Sequence, residues 1–113
     1  MNKVIFIGRL TKEPTFRDGE KTAIANFSIA IDRYVKDGEK TVDFPRITVF
    51  GKTAENVKNY LNKGSLVSIE GSVRTGSFEK DGEKVYTTDF IGEKVTFLDY
   101  GKGNKMSEED EDK

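Results

Sequence analysis

Residues 41–74, TVDFPRITVFGKTAENVKNYLNKGSLVSIEGSVR, change their hydrophobic period twice, and that change decides the fold. Over 41–50 the pattern alternates. Ile47 and Val49 point one way; Phe44, Arg46, Thr48 and Phe50 point the other, as successive side chains of a strand do. Pro45 cannot donate to a ladder, so an edge or bulge is expected there. Over 53–63 the period lengthens. Ala54, Val57, Tyr60 and Leu61 fall at helical spacing, with Thr53 as the expected N-cap and Gly64 as terminator. At 65–74 the two-residue period returns through Val67, Ile69 and Val73, and Gly71 marks a bulge or barrel corner.

Strands flank this unit on both sides. Residues 23–34, AIANFSIAIDRY, put Ala23, Ala25, Phe27, Ile29 and Ile31 on one face and Asn26, Ser28, Asp32 and Tyr34 on the other. Residues 3–10, KVIFIGRL, read as a strand that ends before Glu13-Pro14. Residues 85–98 form the last long strand, with Gly92 as a second corner. The motif Asp-Gly-Glu-Lys occurs at 18–21, 37–40 and 81–84, each time between strand-like runs. Asp-Gly favours tight hairpin turns because glycine accepts a positive φ. Five strands with one short helix between the third and fourth predict an all-β OB-fold, a small Greek-key barrel.

The 113 residues suit one domain, and hydrophobic and charged residues each make up 35%. No cysteine or histidine is present, which removes disulfides, thiolate or imidazole zinc sites, cysteine nucleophiles and histidine bases. No cofactor or metal is expected. An enzyme would depend on carboxylates such as Asp43 with Asp89 or Glu55 with Glu70, and no sequence feature sets either pair together. No apolar run approaches a membrane span of roughly 18 residues, and Met1 to Leu10 lacks a small-residue cleavage site. A cytoplasmic location, at the nucleoid, is expected.

Net charge is −1, but it is unevenly placed. From Asn104 onward five acids and two lysines carry −3, which leaves +2 on the rest. Residues 1–100 are therefore read as the folded domain and 101–113 as a disordered acidic tail. Such a tail either keeps the protein soluble or mimics DNA, competing for the basic face or docking a basic partner.

The strand at 41–50 uses its Ile47/Val49 face for the core, so Phe44, Arg46 and Phe50 are expected outside. An unpaired nucleobase fits such a surface: it stacks on phenylalanine or tyrosine while lysine or arginine neutralises phosphate. Tyr34 with Arg33 and Lys36, Arg74 with Phe78, and Tyr86 with Lys84 extend the candidate surface, as do Arg9 and Lys52. The plainer alternative is that the aromatics are core, Phe50 under the helix, and that the cations are only solvated surface.

The chain resembles the bacterial and phage single-stranded DNA-binding protein family over residues 1–98. The resemblance rests on Asn2-Lys3-Val4-Ile5, Ile7-Gly8-Arg9-Leu10, Ala25-Asn26-Phe27, Val49-Phe50-Gly51-Lys52 and Ala54-Glu55. It continues through Tyr60-Leu61-Asn62-Lys63-Gly64-Ser65, Glu70-Gly71 and Val85-Tyr86-Thr87-Thr88. It implies an OB-fold protomer that assembles as a homotetramer and wraps single-stranded DNA in replication, recombination and repair. It also implies stacking at Phe44, Phe50 and Phe78, with a further position at Tyr34 or Val35.

This sequence departs from the family pattern in three places. It has no tryptophan at the stacking sites, and Gly76-Ser77 thins the basic run after Arg74. Long members recruit partner proteins through an acidic tip closing on a hydrophobic residue; here the tip reads Glu111-Asp112-Lys113, which argues against such recruitment and for a short variant. The competing reading is an OB-type interaction module for protein or oligosaccharide, with the aromatic face as an oligomer interface.

Overall fold

The computed structural model describes residues 1–98. Its strands are β1 (Val4–Leu10), β2 (Thr15–Asp18), β3 (Ala23–Tyr34), β4 (Lys40–Asp43), β5 (Arg46–Phe50), β6 (Leu66–Lys80) and β7 (Glu83–Phe97). A single helix, α1 (Gly51–Tyr60), lies between β5 and β6. The expected tail, 101–113, lies outside the described residues.

The seven segments make five barrel strands. β1 and β2 pair along β3 at residues 29–30 and 23–26, so they are one strand interrupted at 11–14. β4 and β5 also share one register on β3: Ile31 faces Asp43 and Ile24 faces Phe50, and the break at Phe44-Pro45 shifts nothing. Proline supplies no N–H, so the ladder gaps there, while the Pro45 carbonyl still accepts from the Ile29 N–H at 3.2 Å. The order β1-β6-β7-β5-β3 closes through the β1–β3 pairing, with β5–β7 as the parallel contact. This is the OB-fold barrel that the sequence predicts.

Alternation along β3 and β5 places Ala25, Phe27, Ile29, Ile47 and Val49 inside. Val67 and Ile69 of β6 and Phe97 of β7 complete the filling, and Ala54 and Val57 of α1, with Leu61 just past its end, cover one end. Among the described residues no polar or charged side chain is buried, so nothing in the core opposes its burial.

The helix begins two residues before the expected cap. Gly51, at φ 63°, turns the chain straight out of β5; Phe50 occupies the cap position without a side-chain bond, and Thr53 lies inside the helix. The helix ends at Tyr60, and Gly64 serves the turn that follows.

β6 runs on to Lys80, well past the expected limit of 74, and β7 begins at Glu83, just before the expected 85. Beyond the barrel they form a two-stranded arm closed by Asp81 and Gly82, at φ 53° and 82°. Two consecutive positive φ values match the strand twist of a tight hairpin. Where the arm leaves the barrel, Gly71 faces Gly92 at a register shift. A Cβ on Gly92 would lie 2.9 Å from Val49 Cγ1, so only glycine lets β7 cross the core so closely.

Candidate nucleic-acid interface

The unbroken register along β3 carries one consequence outward. Phe44 stays in phase with Arg46, Thr48 and Phe50 despite the proline, and exposure follows that phase. Phe44 is 62% exposed and Phe50 41%. Neither is core, so the plainer reading of these two aromatics is set aside. Thr48 pairs with Ile91 of β7, and Arg74 of β6 pairs with Asp89. Arg74, Phe78, Asp89, Arg46 and Phe50 therefore share one outer face of the sheet β6-β7-β5-β3.

The cations on this face are available. Among the described residues the side chains of Arg46, Arg74 and Lys52 make no ion pair or hydrogen bond, and all three residues are exposed. Lys52 stands in the first turn of α1, two residues past Phe50. Asp89 is the anion among them, directly across the ladder from Arg74.

Three of the expected residues are placed differently. Arg33 donates a bidentate pair to Asp43, Nε to Oδ2 at 2.9 Å and a terminal nitrogen to Oδ1 at 3.0 Å. Hydrogen bonding from Arg33 holds the Asp43 carboxyl below the usual carboxylate range, and the same bond raises Arg33. Arg33 is thus tied within the β3–β4 hairpin, on the opposite face from its neighbour Tyr34. Tyr34 is itself exposed, beside Lys40. Arg9 donates to the Gly64 carbonyl at 2.8 Å and helps fix the turn after α1.

Tyr86 is the third. The two-residue turn pairs Phe78 with Val85 and Ser77 with Tyr86, so Phe78 and Tyr86 lie on opposite faces of the arm. Both are exposed, at 50% and 76%. A strand stacked on Phe78 cannot also lie on Tyr86 without passing around the arm's edge.

One contributor was not singled out as a site residue. Asn2 Nδ2 donates to the Val73 carbonyl at 2.8 Å, and Asn2 Oδ1 accepts from the Val73 N–H at 2.9 Å. The side-chain amide imitates a peptide and adds a rung to the β1–β6 ladder beyond its last pair, Val4 with Gly71. That rung sits immediately before Arg74, at the root of the arm.

A barrel with an exposed aromatic and basic face narrows the comparison. The family profile described as "Single-strand binding protein family" matches residues 1–98. The chain belongs to the single-strand binding protein family. Single-stranded DNA-binding protein 3 of Clostridium acetobutylicum is 45% identical over 111 residues, covering 95% of this chain and 77% of that one. The single-stranded DNA-binding protein of Clostridium tetani is also 45% identical, covering 95% and 75%. The solved structure titled "Plasmodium falciparum SSB complex with ssDNA" superposes with a TM-score of 0.79 at 27% identity, covering 88% of this chain and 96% of that one. Family membership thus agrees with the resemblance carried by the quoted motifs.

Among the described residues no group of His, Cys, Asp and Glu side chains is arranged to hold a metal, and no helix is long and apolar enough to cross a membrane. Of the carboxylate pairs considered for acid–base work, Asp43 is held by Arg33, and Glu70 lies 3.7 Å from Lys3 Nζ.

Proposed function

We propose that this family member binds single-stranded DNA without sequence specificity, by stacking bases and neutralising phosphates, and so protects exposed strands in replication, recombination and repair. The observation that carries this is the shared outer face: Phe44, Phe50 and Phe78 exposed beside Arg46, Lys52 and Arg74, cations with no protein partner among the described residues. Exposed rings next to unpaired guanidinium groups gain most from a ligand that is both a π-face and an anion. The strand runs from the β4–β5 junction toward the arm, with Phe44, Phe50 and Phe78 as stacking platforms. Tyr34 extends the platform at the β3–β4 hairpin. Arg9, Arg33 and Tyr86 are peripheral: two are held by protein partners, and the third faces away. The protein performs no covalent chemistry and acts in the cytoplasm.

The working unit is a homo-oligomer, a tetramer in our reading. Two features of β1 support assembly. Its outward residues Ile5 and Ile7 are exposed, and residues 4–8 pair with β6 on one edge only, so the other edge offers free backbone groups. Sedimentation of the full chain tests this; a monomer at micromolar concentration contradicts it.

The function is tested by titrating a labelled oligo-dT strand and a matched duplex across a range of salt. Binding confined to the single strand, with log affinity falling linearly in log salt at about −0.7 per neutralised phosphate, is expected. Equal, weak binding to both would move the aromatic face to an interaction-module role.

A further inference from the structure

One carboxylate stands on the face that meets phosphate, where a charge of its sign works against the ligand. β7 sets Asp89 directly opposite Arg74 of β6. On its other side β7 pairs in parallel with β5, Ile47 with Phe90 and Thr48 with Ile91. One step back along that register puts Arg46 beside Asp89. Neighbouring strands lie about 4.8 Å apart, so Arg74, Asp89 and Arg46 form one row across three strands, with the arginines about 10 Å apart. Directly paired residues present their side chains on the same face, and all three residues of the row are exposed.

The row is not held together by ion pairs. Among the described residues the Asp89 carboxylate makes no salt bridge or hydrogen bond, and neither arginine closes on it within 4.0 Å. An exposed carboxylate without a partner adds little to folding, yet it subtracts from the attraction that two arginines offer to phosphate. Toward the tip, the same face of the arm carries Gly76, Phe78, Val85 and Thr87, none of them charged. The next carboxylate along β7, Glu93, lies beyond the glycine corner, 3.5 Å from the Ser72 hydroxyl.

We infer that Asp89 is a specificity-determining residue that turns away polyanions without exposed bases, duplex DNA and polyphosphate among them, while sparing single strands. The inference rests on the proposed binding of single strands. A flexible single strand meets the row with phosphates at the two arginines and an uncharged base over Asp89. A polyphosphate chain carries charge on every unit. A duplex turns its bases inward and offers only its phosphate rim and groove edges. Either one must lay negative charge across the row, against Asp89. Discrimination then comes from repelling the wrong ligand as much as from attracting the right one.

The test measures affinities of oligo-dT, a matched duplex and a short inorganic polyphosphate for the full chain, Asp89→Asn and Glu79→Gln at one low salt concentration. Asp89→Asn keeps the shape and removes the charge. Glu79→Gln makes the same change in net charge on the arm's opposite face, since Glu79 adjoins Phe78 along β6. Asp89→Asn is expected to strengthen duplex and polyphosphate binding roughly three- to tenfold, the scale of one charge pair at about 5 Å near a surface, and oligo-dT binding by less than about twofold. Glu79→Gln should leave the preference for oligo-dT unchanged. Equal gains across the three ligands in Asp89→Asn, or no gain, overturn the inference, as does the same shift in preference from Glu79→Gln. A loss of oligo-dT affinity in Asp89→Asn also overturns it, and would make Asp89 an orienting partner of Arg74. A wild-type chain that binds duplex as well as oligo-dT would instead remove the functional proposal beneath it.

Discussion

The barrel and the arm are built from the same two strands, β6 and β7, yet obey different constraints. Within the barrel every second residue of β6, such as Val67 and Ile69, is fully enclosed, and Gly92 has no room for a Cβ. In the arm, from Arg74 to Lys84, every residue is exposed on both faces. Burial therefore holds the first region, while the second depends on ladder hydrogen bonds and its turn. A change in the barrel should act on folding, and a change on the outer face or arm on ligand binding with the fold intact.

The largest expected effect tests the barrel side. Ile47 is fully buried, and Ile47→Ala removes methyl groups from a packed core. A loss of about 2–5 kcal/mol in unfolding free energy is expected, read by denaturant titration. A loss well under 1 kcal/mol would mean that the core collapses around the gap.

On the outer face, Phe44→Ala should leave the denaturation midpoint nearly unchanged, since the ring is mostly exposed. It should weaken oligo-dT binding by about 1–3 kcal/mol, roughly 5- to 150-fold. A fall in stability without a fall in affinity would make Phe44 structural.

Asn2→Ala probes the seam between the two regions. It removes two hydrogen bonds at 2.8 and 2.9 Å, each worth about 0.5–1.5 kcal/mol. Faster amide exchange at Val73 and along the arm is expected, with barrel amides unchanged. Uniform acceleration throughout would show that arm and barrel open as one unit.

The smallest effect concerns the β3–β4 hairpin. Arg33 lowers the Asp43 carboxyl, so the pair contributes fully above the ordinary aspartate value of about 3.9 and is lost as pH falls through the depressed one. Carboxyl titration by NMR should show Asp43 moving up toward its ordinary value in Arg33→Ala. No movement would detach the shift from Arg33.

The barrel was legible because burial writes a period into the sequence. Residues 23–34 and 65–74 alternate, and 53–63 fall at helical spacing, since one side of each element faces the core. The arm is invisible to that signal. Residues 75–84, TGSFEKDGEK, have water on both faces, so no apolar alternation is needed. β2 was missed for a related reason: four residues after a proline, with only Phe16 packed on the core, are too few to show a period.

The positions of the candidate residues follow from the same physics. Phe44, Arg46 and Phe50 were placed outside because Ile47 and Val49 already claimed the inside. The Arg33–Asp43 pair leaves no mark in the sequence, because the two residues meet only across the hairpin. The separation of Phe78 from Tyr86 did have a signal. Taking Asp81-Gly82 as a two-residue turn sets Phe78 opposite Val85 and Ser77 opposite Tyr86, which puts the two rings on different faces.

The central claim is that one face of the molecule, running from β5 onto the arm, holds the strand. Affinity of oligo-dT for Phe78→Ala beside Tyr86→Ala tests it most directly. The two rings share one hairpin and differ chiefly in the face they occupy. Phe78→Ala should weaken binding by about 1–3 kcal/mol, and Tyr86→Ala should leave it unchanged. Equal losses, or a larger loss at Tyr86, would contradict the single-face account and require the strand to wrap around the arm.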